Sequence, residues 1–286
     1  MPERNLFRRV SIHGTGLWLT LFVVAPFTLM AVVSLLTRGQ TDFVRPALSL
    51  DGYRAILSPV FLTVFWNSAY IAGGATLFCL AVGYPFAYIL GRMRSRWKNL
   101  LLLLVIIPFW TNSLIRTYAL VFMIKSNGLI NTVLLALGLI DAPLTIYYTE
   151  TAVFIGLTYT LLPFMILPLY ASIEKLDPHL LEAARDLGAG TRQTFWRVVL
   201  PLTMPGVVTG SMLVFLTALG MFYIPDILGG AKTMLLGNYI KNQFLMARDW
   251  PTGAAAGVVL TVLMTALLLL YYRSYHSVRR GQEDDA

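Results

Sequence analysis

The chain of 286 residues has little cysteine and little charge. Its one cysteine, Cys79, lies in an apolar run, which excludes an intramolecular disulfide and a cysteine metal cluster and favours a small buried residue. Only 13% of the residues are charged, about half of the roughly one quarter typical of soluble domains. With 57% hydrophobic residues and a mean hydropathy of +0.69, the sequence predicts a protein that crosses a membrane several times.

Motifs for energy conversion and catalysis are also missing. The sequence has no glycine-rich phosphate loop ending in Lys-Ser/Thr, so we do not expect it to hydrolyse ATP. The apolar runs have no ionisable residue in their middles, where ion-coupled carriers place proton relays and ion ligands. No nucleophile, base or metal-ligand cluster converges there. We predict that the chain is not an enzyme and holds no metal or cofactor, so it is either passive or driven by a partner.

Six hydrophobic runs are long enough to cross a bilayer as helices, because about 20 residues rising 1.5 Å each span roughly 30 Å. We predict an all-α fold and one transmembrane domain over 1–286, with spans at about 16–36, 61–90, 99–124, 151–173, 202–224 and 253–272. The first run is longer than the usual signal-peptide core of about 7–15 residues, so we interpret it as an uncleaved span. A seventh run, 129–140, is too short to cross, and we expect it to lie along the surface or pack on other helices.

The basic residues are unevenly distributed between the two sides of these spans. Fourteen of the 22 Lys and Arg residues lie in the two termini and in the loops after spans two and four, and eight lie on the other side. Cationic loops stay in the cytoplasm, so both termini and the loop after span four are predicted to be cytoplasmic. The net charge of +8 therefore reflects membrane topology, and no nucleic-acid partner is expected.

That loop, which we call the charged segment (residues 174–201), is an island of charge and helix-forming residues between two apolar runs. Asp177 and Pro178 predict a helix start, with Asp as the N-cap and Pro at the first helical position. Gly188 and Gly190 can adopt positive φ and end this helix near Leu187. We expect a second short helix from Thr191 to Val199, ended by Pro201 before span five.

The first of these helices has an apolar face. Leu180, Ala183, Ala184 and Leu187 share it at i, i+3, i+4 and i+7 spacing. The small alanines allow a partner to come close, so the helix is suited to sit in a groove of another protein. The alternative is an amphipathic helix that lies on lipid headgroups.

The residues of the charged segment resemble a known signature. The pattern Glu182-Ala183-Ala184-x3-Gly188-x9-Val198-x-Leu200-Pro201 is similar to the conserved loop of binding-protein-dependent ABC importer permeases, with Val198 in place of the usual Ile. The stretches 108–116, 161–165, 221–232 and 248–251 resemble the spermidine/putrescine branch of that family. The resemblance extends from about residue 15 to residue 275.

The resemblance implies a multi-pass protein of the bacterial inner membrane with the type I importer permease fold. In that family the loop forms a coupling helix, which assigns ATPase coupling to Glu182, Ala183, Ala184, Gly188, Leu200 and Pro201. The implied partners are an ABC ATPase dimer that holds ATP and Mg, a second homologous permease, a periplasmic substrate-binding protein and the lipid bilayer. The implied function is ATP-driven uptake of polyamines by alternating access. The alternatives are an importer of the same class for another solute, such as iron or an opine, and a passive channel or scaffold without an ATPase.

A polycationic substrate needs carboxylates and aromatic faces along its path. The candidates for the path are Asp226, Tyr223, Phe222, Trp110, Asn112, Tyr159 and Glu150. Each has a plainer interpretation: Asp226 can cap a helix end or loop, Glu150 can favour the positive end of a helix, and the aromatics can pack or anchor at the interface. Outer-loop residues, including Asp42, Asp51 and Asp249, are expected to receive the binding protein.

Overall fold

A computed structural model describes residues 2–39, 43–93, 96–230 and 233–284 of the protein, and the side chains of 11–39, 43–93, 96–230 and 233–273. Asp42 therefore lies outside the described residues, as do Ala231 and Lys232 at the end of the 221–232 stretch.

The described residues are mostly helical. The α-helices are α1 Pro2–Leu19, α2 Ala25–Val33, α3 Asp51–Ile56, α4 Pro59–Arg92, α5 Trp97–Trp110, α6 Ser113–Ile124, α7 Leu129–Ala136, α8 Glu150–Glu174, α9 Pro178–Asp186, α10 Thr191–Thr194, α11 Leu200–Gly220, α12 Leu236–Leu245 and α13 Trp250–Asp284. Three π-helical turns accompany them, at Thr20–Val24, Phe195–Val199 and Pro225–Gly229.

Within the described residues, six helical stretches are long and apolar enough to cross a membrane. They are Ser11–Val33, Pro59–Arg92, Ser113–Ala136, Glu150–Glu174, Thr191–Gly220 and Trp250–Arg273. The all-α, six-span fold class is therefore confirmed.

The chain forms two compact units, of which the first comprises residues 1–63 and 239–266. It contains a small antiparallel pair of strands, β1 Leu36–Arg38 and β2 Val44–Leu48, which the all-α prediction did not include. Arg38 lies 3.8 Å from the Asp249 carboxylate and donates a hydrogen bond to the Ala247 carbonyl. Asp51 in turn lies 3.3 Å from Arg54. Both Asp249 and Asp51, which were predicted to be outer acidic residues, are therefore paired with a basic residue.

The second unit comprises residues 64–238 and 267–286 and is built around α8. Helix α11 packs closely along α8 because two glycines one turn apart face it. A Cβ added at Gly206 would lie 2.7 Å from the Pro168 carbonyl oxygen, and one at Gly210 would lie 2.9 Å from the Met165 sulfur. This is the small-xxx-small pattern that brings membrane helices together by van der Waals contact.

The structure divides the predicted third span, 99–124, into two helices. Helix α5 ends at Trp110, where the Thr111 N–H and Oγ1 both bond to the Pro108 carbonyl. Asn112 then caps α6, since its Oδ1 accepts a hydrogen bond from Leu114 N at 2.8 Å. These side chains supply hydrogen-bond partners for backbone groups at the break between the two helices.

The expectation that Pro201 ends a short helix before span five is wrong. The helix runs from Thr191 to Gly220, and the π-helical turn Phe195–Val199 precedes the proline. In this turn Leu200 N–H bonds to the Phe195 carbonyl, five residues earlier. The wider turn accommodates a proline that lacks an N–H and would clash with the carbonyl four residues back in a regular helix.

The short seventh run forms α7, which spans eight residues and packs on α6. Buried Asn131 fixes it, donating to the Lys125 and Leu144 carbonyls and accepting from Leu144 N. Together α6 and α7 make the candidate span Ser113–Ala136, so the third span is displaced from the predicted 99–124 and includes part of the run expected to lie outside the spans.

Candidate functional site

The charged segment begins with a well-capped helix. Asp177 has extended backbone geometry, and its Oδ1 accepts a hydrogen bond from His179 N at 3.0 Å, with Pro178 at the first helical position. The capping expected from the sequence is therefore present. Glu182 lies on the exposed side of α9, 3.2 Å from the His179 ring nitrogen Nδ1.

Helix α9 uses one apolar residue for attachment and leaves the others exposed. Leu181 is buried in a cluster with Leu176 and Val199. In contrast, Leu180 is 47% exposed and Leu187 is 89% exposed, and Ala183 lies between them on the surface. An apolar face kept free beside a buried anchor is typical of a surface that another protein covers.

The glycine turn has one residue that requires glycine. Gly188 has a φ of +80°, whereas Gly190 has a φ of −68° and serves as N-cap of α10. The sequence allows positive φ at both glycines, and of the two Gly188 adopts it. Leu200 is half-buried and Pro201 exposed, both on the helix that leads from the turn into the fifth span.

Several contacts fix the charged segment to the spans around it. Tyr88 packs against the Leu176, Leu181 and Val199 cluster, and Tyr84 contacts Phe195 edge-on at 5.6 Å. The Tyr84 hydroxyl and Thr203 Oγ1 share a buried hydrogen bond of 2.9 Å. Helix α9 is therefore joined to the segment after α8, to the helix of the fifth span and to α4 through packed side chains.

Four of the candidates for the substrate path lie near the breaks in two helices. Trp110 ends α5 and is 77% exposed, and Asn112 begins α6. Helix α11 ends at Gly220, and Phe222 and Tyr223 follow it with their rings edge to face. The Ser113 hydroxyl donates to the Tyr223 hydroxyl at 2.6 Å, which joins the two breaks.

Asp226 lies in the π-helical turn that follows. Its Oδ1 accepts a 2.5 Å hydrogen bond from Asn238 Nδ2, which also donates to the Phe222 carbonyl at 2.7 Å. This is the loop-capping geometry of the plainer interpretation. The carboxylate is half-buried.

Tyr159 of α8 has a partner that the sequence did not suggest. The Arg116 guanidinium lies 5.8 Å from the centre of the Tyr159 ring, within the range of a cation–π contact. The distribution of basic residues predicts Arg116 on the outer side, and helix spacing places it one turn after Asn112. Nothing in the sequence places it opposite a particular ring.

Glu150 stands apart from the other candidates. It is exposed at the first position of α8, whose N-cap is Thr149, so its carboxylate lies at the positive end of the helix. Next to it, Tyr147 and Tyr148 stack with ring centroids 3.8 Å apart. Burial, and then the hydrogen bond with Tyr148, raises the pKa of Tyr147 to about 12, so this phenol stays neutral at physiological pH.

Known proteins share both the sequence and the fold. Residues 83–281 match the family described as the binding-protein-dependent transport system inner membrane component. The chain is 49% identical to the spermidine/putrescine transport system permease protein PotB of Haemophilus influenzae, over 98% of both chains. It is 52% identical to PotB of Escherichia coli K12, over 96% of this chain and 98% of that one.

The structure resembles a chain of the bacterial alginate ABC transporter solved in complex with an alginate pentasaccharide-bound periplasmic protein. The TM-score is 0.72 at 17% identity, covering 94% of this chain and 93% of that one, which shows a shared fold. Together these matches show that the chain belongs to the family of binding-protein-dependent transport system inner membrane components. It is a multi-pass protein of the inner membrane with an importer permease fold.

Proposed function

We propose that this chain is a permease subunit of an ATP-driven polyamine importer, with spermidine and putrescine as substrates. The observation that carries the proposal is the identity of 49–52% to PotB proteins over nearly the whole chain. A permease without a phosphate loop needs an external motor. An ABC ATPase dimer, which holds ATP and Mg, supplies it.

The charged segment is the ATPase-coupling site in this proposal. The exposed face of α9, with Ala183 and the half-buried Ala184 and flanked by Glu182, enters a groove of the ATPase, and the buried anchor Leu181 holds the helix on the permease. Gly188 sets the turn, and Leu200 and Pro201 lie on the helix that conveys the movement to span five. This orientation requires the charged segment and both termini to be cytoplasmic, in agreement with the distribution of basic residues.

A second homologous permease and a periplasmic substrate-binding protein complete the importer. Substrate released by the binding protein passes Asp226, Tyr223, Phe222, Trp110, Asn112 and Tyr159, with Glu150 further along α8. The helix breaks at Thr111 and Met221 support this path, because irregular backbone within a membrane is tolerated where it lines a cavity or is buried in protein.

The proposal is tested by uptake and by ATPase capture in the same membranes. We expect labelled spermidine to be imported by cells that express the chain with its partner subunits. Excess unlabelled putrescine or spermidine should compete, and ferric chelates and opines should not. Competition by one of these other solutes alone would keep the importer class and overturn the polyamine assignment.

Glu182→Lys reverses the charge beside the docking face and should abolish both uptake and co-purification of the ATPase. Gln193→Lys is the matched control, because Gln193 is exposed on the same segment but off the α9 face. Undiminished ATPase capture by Glu182→Lys would contradict docking at this face. Uptake without any ATPase would instead favour a passive channel.

A further inference from the structure

Three tyrosines of the second unit each have a basic side chain over the ring. All three basic residues come from the 97–125 stretch and all three rings from the 147–170 stretch, in opposite chain order. The pairs are Lys98 with Tyr170 at 5.3 Å, Arg116 with Tyr159 at 5.8 Å and Lys125 with Tyr147 at 5.8 Å, each measured to the ring centroid. The stretches thus face each other as a series of cation–π pairs.

The two tyrosines on α8 lie on one face of that helix. Tyr159 and Tyr170 are separated by eleven residues, which at about 100° per residue is close to three full turns and roughly 16 Å. The rings therefore form a row along the helix and are not scattered around it.

The middle pair differs from the other two in how its cation is held. Lys98 also forms a 2.7 Å ion pair with Glu174, and Lys125 is exposed. Arg116 is half-buried, and its Nε is buried without a hydrogen-bond partner. A buried guanidinium donor that lacks a partner is costly, and Arg116 has fewer described polar contacts to hold it at its ring than Lys98 has.

Arg116 and Tyr159 lie close to other residues of the proposed substrate path. Arg116 lies one turn beyond Asn112 on α6, and Tyr159 lies one turn beyond Gly156 on α8. A Cβ at Gly156 would meet Ile224 at 2.9 Å, which shows how closely the segment after Tyr223 lies over this part of α8. Tyr159 itself remains 42% exposed in the chain.

We propose that the Tyr159 ring is an ammonium-binding position on the substrate path, and that Arg116 occupies it as a tethered competitor until a substrate ammonium displaces it. The inference rests on the proposed polyamine transport. An aromatic face attracts both guanidinium and ammonium groups, so a substrate ammonium can take the place of the guanidinium over the ring. Such an exchange suits a transport path, where binding must be strong enough to admit the ion and weak enough to release it.

The test uses the complete importer in proteoliposomes, with the binding protein saturated with labelled spermidine and the initial uptake rate as readout. Tyr159→Leu removes the ring and should lower uptake roughly tenfold, whereas Tyr159→Phe keeps an aromatic face and should stay within about twofold. Arg116→Gln removes the competitor and should raise uptake by about twofold or more. Tyr70→Leu is the control, because Tyr70 is an exposed tyrosine on α4 whose described contact is with Phe154.

The double variant separates competition for the ring from simple charge repulsion. In the Tyr159→Leu background, Arg116→Gln should give no gain, because there is no ring left to free. A gain that persists would mean that Arg116 only repels the substrate, and the proposal would be overturned. Equal rates for Tyr159→Leu and Tyr159→Phe would overturn it as well.

A loss of uptake in Arg116→Gln would show that the pair is only structural. Arg116→Gln also tests the proposal if Tyr159→Leu does not assemble, because a rise in uptake supports displacement of Arg116 and a fall contradicts it. Failure of the proposed function is seen separately, as absence of spermidine uptake by the unaltered importer before any variant is compared.

Discussion

Individual residues of the coupling site have roles that follow from backbone conformation and charge. Asp177 accepts a hydrogen bond from an N–H group that has no partner within the helix. Such an N-cap contributes about 1 kcal/mol to the stability of the helix. Gly188 occupies the left-handed region, where a Cβ is disfavoured even with open space around it. These local preferences shape the surface that the ATPase is proposed to contact.

Gly188→Ala should destabilise the glycine turn by about 1 kcal/mol or more, because alanine resists a φ of +80°. Gly190→Ala is the matched control, since Gly190 has a negative φ and a Cβ there would have no neighbour within 4 Å. Hydrogen exchange of the 187–191 amides and co-purification of the ATPase measure the effect. Equal behaviour of the two variants would contradict the role assigned to positive φ.

Asp226→Asn should separate the structural role of this residue from its charge. The asparagine oxygen can still accept the hydrogen bond from Asn238, so the turn is expected to remain intact. If the charge attracts substrate, spermidine uptake should fall by roughly tenfold or more while assembly with the ATPase is normal. Unchanged uptake would leave Asp226 with the loop-capping role alone.

Helices of this protein are interrupted where prolines and capping side chains allow it. The π-helical turns at Phe195–Val199 and Pro225–Gly229 adjoin or contain a proline, and Thr111 and Asn112 end one helix and start the next. Such interruptions bend the walls of a path without leaving backbone groups unpaired. In contrast, α11 packs closely on α8 at Gly206 and Gly210.

Gly206→Ala should disturb this helix pair, because the added Cβ would lie 2.7 Å from the Pro168 carbonyl oxygen. Overpacking of this kind costs about 1–3 kcal/mol, which thermal unfolding of the purified complex detects as a lower midpoint. Gly73→Ala is the control, since a Cβ at that position would meet nothing within 4 Å. A midpoint lowered equally by both variants would refute close packing at Gly206.

At the scale of the whole molecule, the uneven distribution of basic residues predicts its orientation in the membrane. The only native cysteine, Cys79, is buried, so single cysteines can be introduced with little background labelling. A membrane-impermeant thiol reagent added to spheroplasts should label Ser126→Cys, on the outer side, and should not label Gln193→Cys in the charged segment. Both positions are exposed in the chain. Labelling of Gln193→Cys under these conditions would reverse the topology and remove the ATPase from the proposed site.

Much of the architecture is accessible from sequence because bilayer thickness fixes the length of a span. The number of spans and the helix start at Asp177 depend on composition and local propensity, and both are present in the described residues. The third span is placed differently, since Ser113–Ala136 begins after the break at Thr111 and includes α7. The continuation of the helix through Pro201 was missed, since propensity alone treats a proline as a stop. A neighbouring π-helical turn relieves that stop.

The sequence by itself determined the membrane class, the number of spans and the place of the charged segment, because these depend on hydrophobicity and spacing along the chain. Only the tertiary structure decided which side chains meet. The pairing of Arg116 with Tyr159, of Ser113 with Tyr223 and of Asn238 with Asp226 joins residues between 12 and 110 positions apart. Contacts at such separations depend on how helices pack and where they break, and no local pattern in the chain specifies them.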